Sequence, residues 1–313
     1  MILAAGEALI DLVMASDTTP PEFTAHVGGA PLNAAVALGR LDVPVRFACP
    51  VSNDTFGDMI RAKLGASNVG LAAATRVSAP SPLALVTLDD KGVPAYQFYR
   101  EGTADRQIDD AFFAQCLAAP CNALHIGGTC LTNAVDFEKW MNLVDAAKAK
   151  GVVISIDPNI RPTLINDIED FKARMQVAFA KADLIKASDE DCETLFGHAD
   201  LDVLATGPFA AAHVFVMTQG SAGATARLAD GQIVRAPITP IDGLRDTVGA
   251  GDCFQAGLLS HLWDRGALAS LTDLRALSSA TLEDAIKVGH AAAAINCGRD
   301  GCDPAWQSEM PSL

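Results

Sequence analysis

Clustered basic residues are missing from this chain. Its 23 Lys and Arg stand against 38 Asp and Glu, a formal net charge of −15 over 313 residues. No run of lysines or arginines offers the footprint that a phosphate backbone requires, so no nucleic-acid partner is expected. The acidity reads as what keeps a cytoplasmic protein in solution. Long apolar runs are missing too: none approaches the roughly 18 residues that span a bilayer, and no membrane partner is expected. The first residues, MILAAGEALIDLV, have no basic stretch and are interrupted by Glu7 and Asp11. They suit a first buried strand, not a signal peptide. The eight cysteines form no CxxC pair and no Cys/His zinc spacing. Most lie in apolar runs and read as reduced, buried small hydrophobes. A Walker A loop is also absent: GASNVGLA has the glycine spacing but Leu71 where lysine is required. Any phosphate binding must use another loop design.

What is present is half hydrophobic by residue count, enough for one large domain. Short β-rich runs alternate with alanine-rich helical stretches. NALHIGG precedes VDFEKWMNLVDAAKAKG, VVISIDPN precedes IEDFKARMQVAFAKA, and ADLIKAS precedes DEDCETLFG. Strands that are apolar on both faces and separated by helices predict a doubly wound, mostly parallel α/β sheet over residues 1–313. Ligands in such sheets sit beyond the carboxyl ends of the strands. Two segments break the rhythm. MASDTTPPEFTAHVGG is long and polar, and SPLALVTLDDKGVPAYQFYREGTAD alternates around DDKG like a hairpin. Together, over about 12–27 and 81–103, they predict a small inserted β lid. The tail GCDPAWQSEMPSL reads as a surface loop.

The densest chemistry lies in DTVGAGDCFQAG, residues 246–257. Gly249 and Gly251 permit a sharp turn that aims successive N–H groups the same way at the start of a helix, where free donors and the helix dipole attract an anion. Asp252 falls just inside that helix. It could cap the helix, worth about 1 kcal/mol, or take a proton from a hydroxyl during phosphoryl transfer. Spacing alone leaves both readings open. Upstream, Asp11 near a strand end, the Gly28-Gly29 turn and Asn33 one turn into the next helix can offer acceptors and donors to a polyol.

These stretches resemble the signature regions of the ribokinase-like sugar kinases, the phosphofructokinase-B family. GGAPLNAAVALGRL is similar to the family's GG-x3-N-x-A segment, and DTVGAGDCFQAG matches DTxGAGDxFxxG at every specified position. GHAAAAINCGRDGCDPAW resembles the family's last nucleotide-proximal helix and loop. The resemblance implies a ribokinase-like fold and ATP-dependent phosphorylation of a small sugar. Gly249, Ala250 and Gly251 would form the anion hole, and Asp252 the base. Asp11, Gly28, Gly29 and Asn33 would bind the sugar. TQGSAG would supply Thr218, Gly220 and Gly223 to ATP, with His290 and Ala294 on the adenine side. The family's N-x-x-E pattern organises Mg²⁺ through water; here Ser188 and Asp191 stand in the Asn and Glu positions, a departure only partly typical of the fructokinase branch, which it resembles in the serine and not in the shortened Asp191. Asp246 and the Val248 carbonyl stand where many members hold a monovalent cation, with K⁺ the candidate.

The sugar is left open by the sequence. GEALIDL and GGAPLN are fructokinase-like, which favours the primary hydroxyl of D-fructose. Arg100 and Arg161 are candidate substrate contacts, and a guanidinium pair would also suit the carboxylate of 2-keto-3-deoxygluconate. A non-catalytic sugar or nucleotide sensor on the same fold is the alternative from another class. A homodimer through the lid is expected on edge-strand grounds.

Overall fold

The computed structural model describes residues 1–16, 20–74, 76–88, 94–238 and 243–312. Strands that are buried at every position, such as Ile2–Ala5, Ala123–Gly127 and Val153–Asp157, must be covered on both faces. They lie in a nine-stranded sheet. Its order is Ile233–Ala236, Ala224–Leu228, Val214–Thr218, Leu184–Ser188, Val153–Asp157, Ala123–Gly127, Ile2–Ala5, Val45–Ala48 and Gly70–Leu71. From Val214–Thr218 onward the strands are parallel; the other two are antiparallel additions at one edge. Helices Ala30–Arg40, Ala250–Asp264 and Ser279–Cys297 contribute to the core on one face. Ala134–Ala149, Ile168–Phe179 and Asp189–Phe196 contribute to the core on the other. The expected doubly wound α/β architecture is present. Strand order reverses between Ile2–Ala5 and Ala123–Gly127, so the crevice beyond their carboxyl ends is the place for a ligand.

The N-terminal run departs from its sequence reading. MILAAGEALIDLV is two strands in two different sheets. Ile2–Ala5 joins the large sheet, while Leu9–Ser16 pairs with Glu22–Gly28 and Leu83–Leu88. Gly6, at φ 141°, lets the chain leave one sheet for the other. Asp11 is therefore internal to a strand, not at its end. Pro94–Tyr99 completes this second, four-stranded sheet. Leu83–Leu88 and Pro94–Tyr99 pair antiparallel, and residues 89–92 of the DDKG turn lie outside the described residues.

The tail is a largely irregular surface segment, and it is docked. The Arg40 guanidinium donates to Asp303 Oδ1 and the Pro304 carbonyl, both at 2.6 Å, and lies 5.0 Å over the Trp306 ring. Among the described residues, no helix is long and apolar enough to cross a membrane.

Candidate active site

Gly249 takes the N-cap position of Ala250–Asp264 at φ 75°, a left-handed conformation suited to glycine. No side chain caps this helix. The Ala250 N–H returns to Thr247 O at 3.1 Å and that of Cys253 to Gly249 O at 2.8 Å. The N–H groups of Gly251 and Asp252 have no acceptor among the described residues. Asp252 does not serve as the cap. Its carboxylate instead accepts two side-chain amides, Asn33 Nδ2 on Oδ2 and Asn159 Nδ2 on Oδ1, each at 3.0 Å. It is only 7% exposed. Burial is the main cause that pushes its pKa up to about 6. The Asn33 hydrogen bond and the charges of Lys186 and Arg161 oppose that shift, while Asp157 adds to it. A carboxylate that titrates there, fixed by two amides beside unmet N–H groups, can hold and accept a hydroxyl proton.

Asn33 reaches Asp252 because it lies one turn into Ala30–Arg40, its own N–H bonded to Gly29 O at 2.8 Å. Gly28 closes the gap on the other side. A Cβ there would fall 2.2 Å from Asp11 Oδ2, so any larger residue would displace the Asp11 carboxylate. Burial pushes Asp11 up to about 6 as well, opposed by Lys63 and Arg161. Lys63 donates to Val27 O at 2.9 Å, tying this strand to the helix Thr55–Ala66. Tyr96, on Pro94–Tyr99, lies within electrostatic reach of Asp11 and Arg161.

The two arginines are engaged by their surroundings. Arg161 Nη1 folds back on its own loop, donating to Asn159 Oδ1 and to the Asn159 and Ile160 carbonyls. Arg100 pairs with the fully buried Asp105 carboxylate, Nη2 to Oδ2 at 2.6 Å, and donates to Thr129 O at 3.1 Å. Glu7, 2% exposed, adds a second carboxylate to that cluster. Arg100→Met strands these buried carboxylates. It is expected to destabilise by about 3–5 kcal/mol, which thermal melts of the two proteins would show.

Among the residues expected to meet the nucleotide, Thr218 ends its strand beside Ser188. Gly220 begins a short 3-10 turn, and Gly223 follows at φ 94°. His290 is buried, its ring nitrogen 3.1 Å from Ala236 O and its ring edge-on to Phe254. Ala294, one turn later on the same helix, is half-buried. Asp191 is held twice: Oδ1 accepts Ile160 N at 2.8 Å and Oδ2 accepts Ser188 N at 3.0 Å, closing a capping box. Asp246 accepts Val248 N and Gly301 N, each at 2.9 Å, and Asn296 Nδ2 donates to Val248 O at 2.8 Å. These oxygens keep second lone pairs, so hard cations fit by donor type.

Three residues of this constellation had not been given roles from sequence. Asn159 holds Asp252 from a φ of 41°, unusual outside glycine. Lys186 donates to Asp157 Oδ2 at 2.9 Å, with both residues buried. The available signals were a lysine inside the apolar strand LIKAS and the DPN corner after VVISI.

Residues 1–309 match the profile of the pfkB family carbohydrate kinases. A fructokinase of Rhizobium leguminosarum bv. trifolii is 40% identical over 265 residues, spanning 84% of this chain and 79% of its own. A fructokinase of Klebsiella pneumoniae is 31% identical, spanning 86% of each. The crystal structure of fructokinase with bound ATP from Xylella fastidiosa superposes with a TM-score of 0.86 at 26% identity, covering 99% of this chain and 94% of that one. On the profile match and these relatives, the chain belongs to the pfkB family of carbohydrate kinases and is an ATP-dependent sugar kinase.

Proposed function

We propose that the protein phosphorylates the primary hydroxyl of D-fructose at the expense of ATP, with Asp252 as the base. The observation that carries this reading is the Asp252 carboxylate itself. It is buried, clamped by Asn33 and Asn159, and set beside the unmet N–H groups of Gly251 and Asp252. Asp11, Gly28, Gly29 and Asn33 would orient the sugar so that its hydroxyl faces Asp252. Asp252 would take that proton as attack on the γ-phosphoryl group proceeds, and the turn Gly249–Gly251 would meet the developing charge. Thr218, Gly220, Gly223, His290 and Ala294 would line the nucleotide's place. Mg²⁺, when bound, neutralises phosphate charge. Asp191, whose oxygens each hold one backbone N–H and keep a second lone pair, would organise it through water. Asp246 and the Val248 carbonyl would hold K⁺. The four-stranded sheet would act as a lid that excludes water as a competing acceptor.

Fructose is favoured over 2-keto-3-deoxygluconate on two grounds. The relatives cited above are fructokinases, and Arg100 is taken up at Nε, Nη1 and Nη2 by Asp105 and Thr129, so no pair of free guanidinium groups awaits a carboxylate. ADP release across a panel of sugars and sugar acids tests this. Fructose is expected to lead by at least about tenfold in kcat/KM. A higher kcat/KM for the acid would overturn the choice of substrate. Sugar binding without any turnover would overturn the enzyme in favour of a sensor. The lid sheet leaves Phe23 and Tyr99 40% and 51% exposed. A homodimer through this sheet goes with the proposal, and sedimentation would read it as a doubled mass.

A further inference from the structure

Lys186 is 4% exposed in Leu184–Ser188, a strand otherwise built from Leu184, Ile185, Ala187 and Ser188. A charge there is desolvated, and an apolar pair of similar volume would serve the fold as well or better. Asp157, its partner at 2.9 Å, is equally enclosed: the two side chains are 5% and 5% exposed. Its second oxygen, Oδ1, is buried with no hydrogen-bond partner among the described residues. Such a pair, incompletely satisfied, is a poor stabilising device. Its placement is more telling. A Cβ built on Gly251 would lie 3.2 Å from Lys186 Nζ, so the ammonium presses against the turn whose N–H groups stand unmet. Asp157 ends its strand two residues before Asn159, which holds Asp252 Oδ1. The pair therefore underlies both halves of the site, the turn and the base.

We propose that Lys186 is a positioning residue for phosphoryl transfer: Asp157 fixes its ammonium beneath the Gly249–Asp252 turn, where its charge supports the phosphoryl group as negative charge develops on it. This rests on the reading of that turn as an anion hole and of Asp252 as the base. The charged groups that face Asp252 are Asp157, Lys186 and Arg161, and the amides of Asn33 and Asn159 complete its surroundings.

Three variants in the full-length protein test the proposal: Lys186→Met, Asp157→Asn, and the two combined. Lys186→Met is expected to lower kcat about 100-fold, the scale of a lost oxyanion donor, while the sugar KM changes little. The acid limb of its kcat–pH profile should move to higher pH, because a positive neighbour of Asp252 is gone. In Asp157→Asn the limb should move to lower pH, because a negative neighbour is gone. The double variant leaves no charge buried alone. Its melting temperature should return toward that of the parent while kcat stays low. Lys186→Arg, which keeps the charge, should keep more turnover than Lys186→Met. Parental turnover in the double variant, or an unmoved pH profile in both single variants, would make the pair merely structural and overturn the proposal. Asp252→Asn assayed alongside separates the two failures. If it stays active, the assignment of the base falls; if it is inactive while the double variant turns over normally, only the role of Lys186 falls.

Discussion

Asp252→Asn is expected to fold, to bind ATP, and to lose about a thousandfold in kcat, within the range that general-base removal gives. The substituted amide keeps the shape of the carboxyl group. One of its atoms can still accept from Asn33 or Asn159, but the other becomes a donor facing a donor, so one of the two 3.0 Å hydrogen bonds is lost. That loss is worth about 1 kcal/mol, and it is offset by removing a buried charge whose pKa burial had already pushed up to about 6. Stability is thus expected to stay near that of the parent, and the change to fall on turnover alone. Isothermal titration with ATP, thermal melts and steady-state assays measure the three quantities separately. A kcat within a few fold of the parent would remove Asp252 from the chemistry.

The pH dependence follows from the same carboxylates and has opposite signs for activity and stability. Asp252 and Asp11 both titrate near about 6 because burial disfavours their charged forms. With Asp252 as the proposed base, turnover requires its ionised form, and kcat is expected to fall as pH drops through about 6. With Asp11 as the proposed sugar acceptor, kcat/KM is expected to fall more steeply than kcat over the same range. Stability runs the other way. A carboxyl group raised from 3.8 to about 6 on folding binds its proton more tightly when folded. Its contribution is therefore most favourable at low pH, is lost as pH rises from about 4 to about 6, and is level above that. Activity lost at pH 5.5 is thus not unfolding driven by these two groups, and melts at pH 5.5 and 8 would show it.

Much of this was legible in the sequence because glycine, proline and apolar runs leave strong local marks. ADLIKAS followed by DEDCETLFG placed a strand and a helix that the structure shows as Leu184–Ser188 and Asp189–Phe196, since both elements follow short-range periodicity. The turn at Asp246–Asp252 was legible for the same reason. The path of MILAAGEALIDLV was not. Its two halves are equally apolar, and only the pairing of Leu9–Ser16 with strands far along the chain assigns it to another sheet. Arg100 was a candidate substrate contact through the resemblance of its segment, and its ion pair was hidden because the buried partner Asp105 stands past the end of the strand, in a 3-10 turn no periodicity announces. Lys186 and Asp157 gave single-residue signals, and only the fold brings them together. Asn159 was hidden differently: asparagine is among the non-glycine residues that enter the left-handed region, but only the fold shows its amide reaching Asp252.

Gly249→Ala is expected to lower kcat by about 100-fold or more, the scale of a lost anion-hole donor, while leaving sugar binding close to that of the parent. Two separate faults are introduced. Alanine at φ 75° pays the left-handed penalty of about 1–2 kcal/mol. Its methyl group would also fall 2.3 Å from Cys302 Sγ and 2.9 Å from Cys302 Cβ. The loop that carries Cys302 is in no position to retreat. Gly301 N donates to Asp246 Oδ2 at 2.9 Å, Asp303 N donates to Asn296 Oδ1 at 3.0 Å, and Arg40 grips Asp303 at 2.6 Å. The turn must therefore move instead, and with it the directions of the Gly251 and Asp252 N–H groups. Asp11, Gly28 and Asn33 belong to other elements and keep their places, so sugar affinity is expected to change little. Adding Cys302→Ala removes the Sγ clash and leaves the 2.9 Å Cβ contact and the backbone fault. The double variant should regain part of its melting temperature and part of its kcat, and the share regained measures how far the turn had been pushed. A Gly249→Ala enzyme with undiminished kcat would show that the turn tolerates displacement, and phosphoryl charge would then have to be met elsewhere in the site.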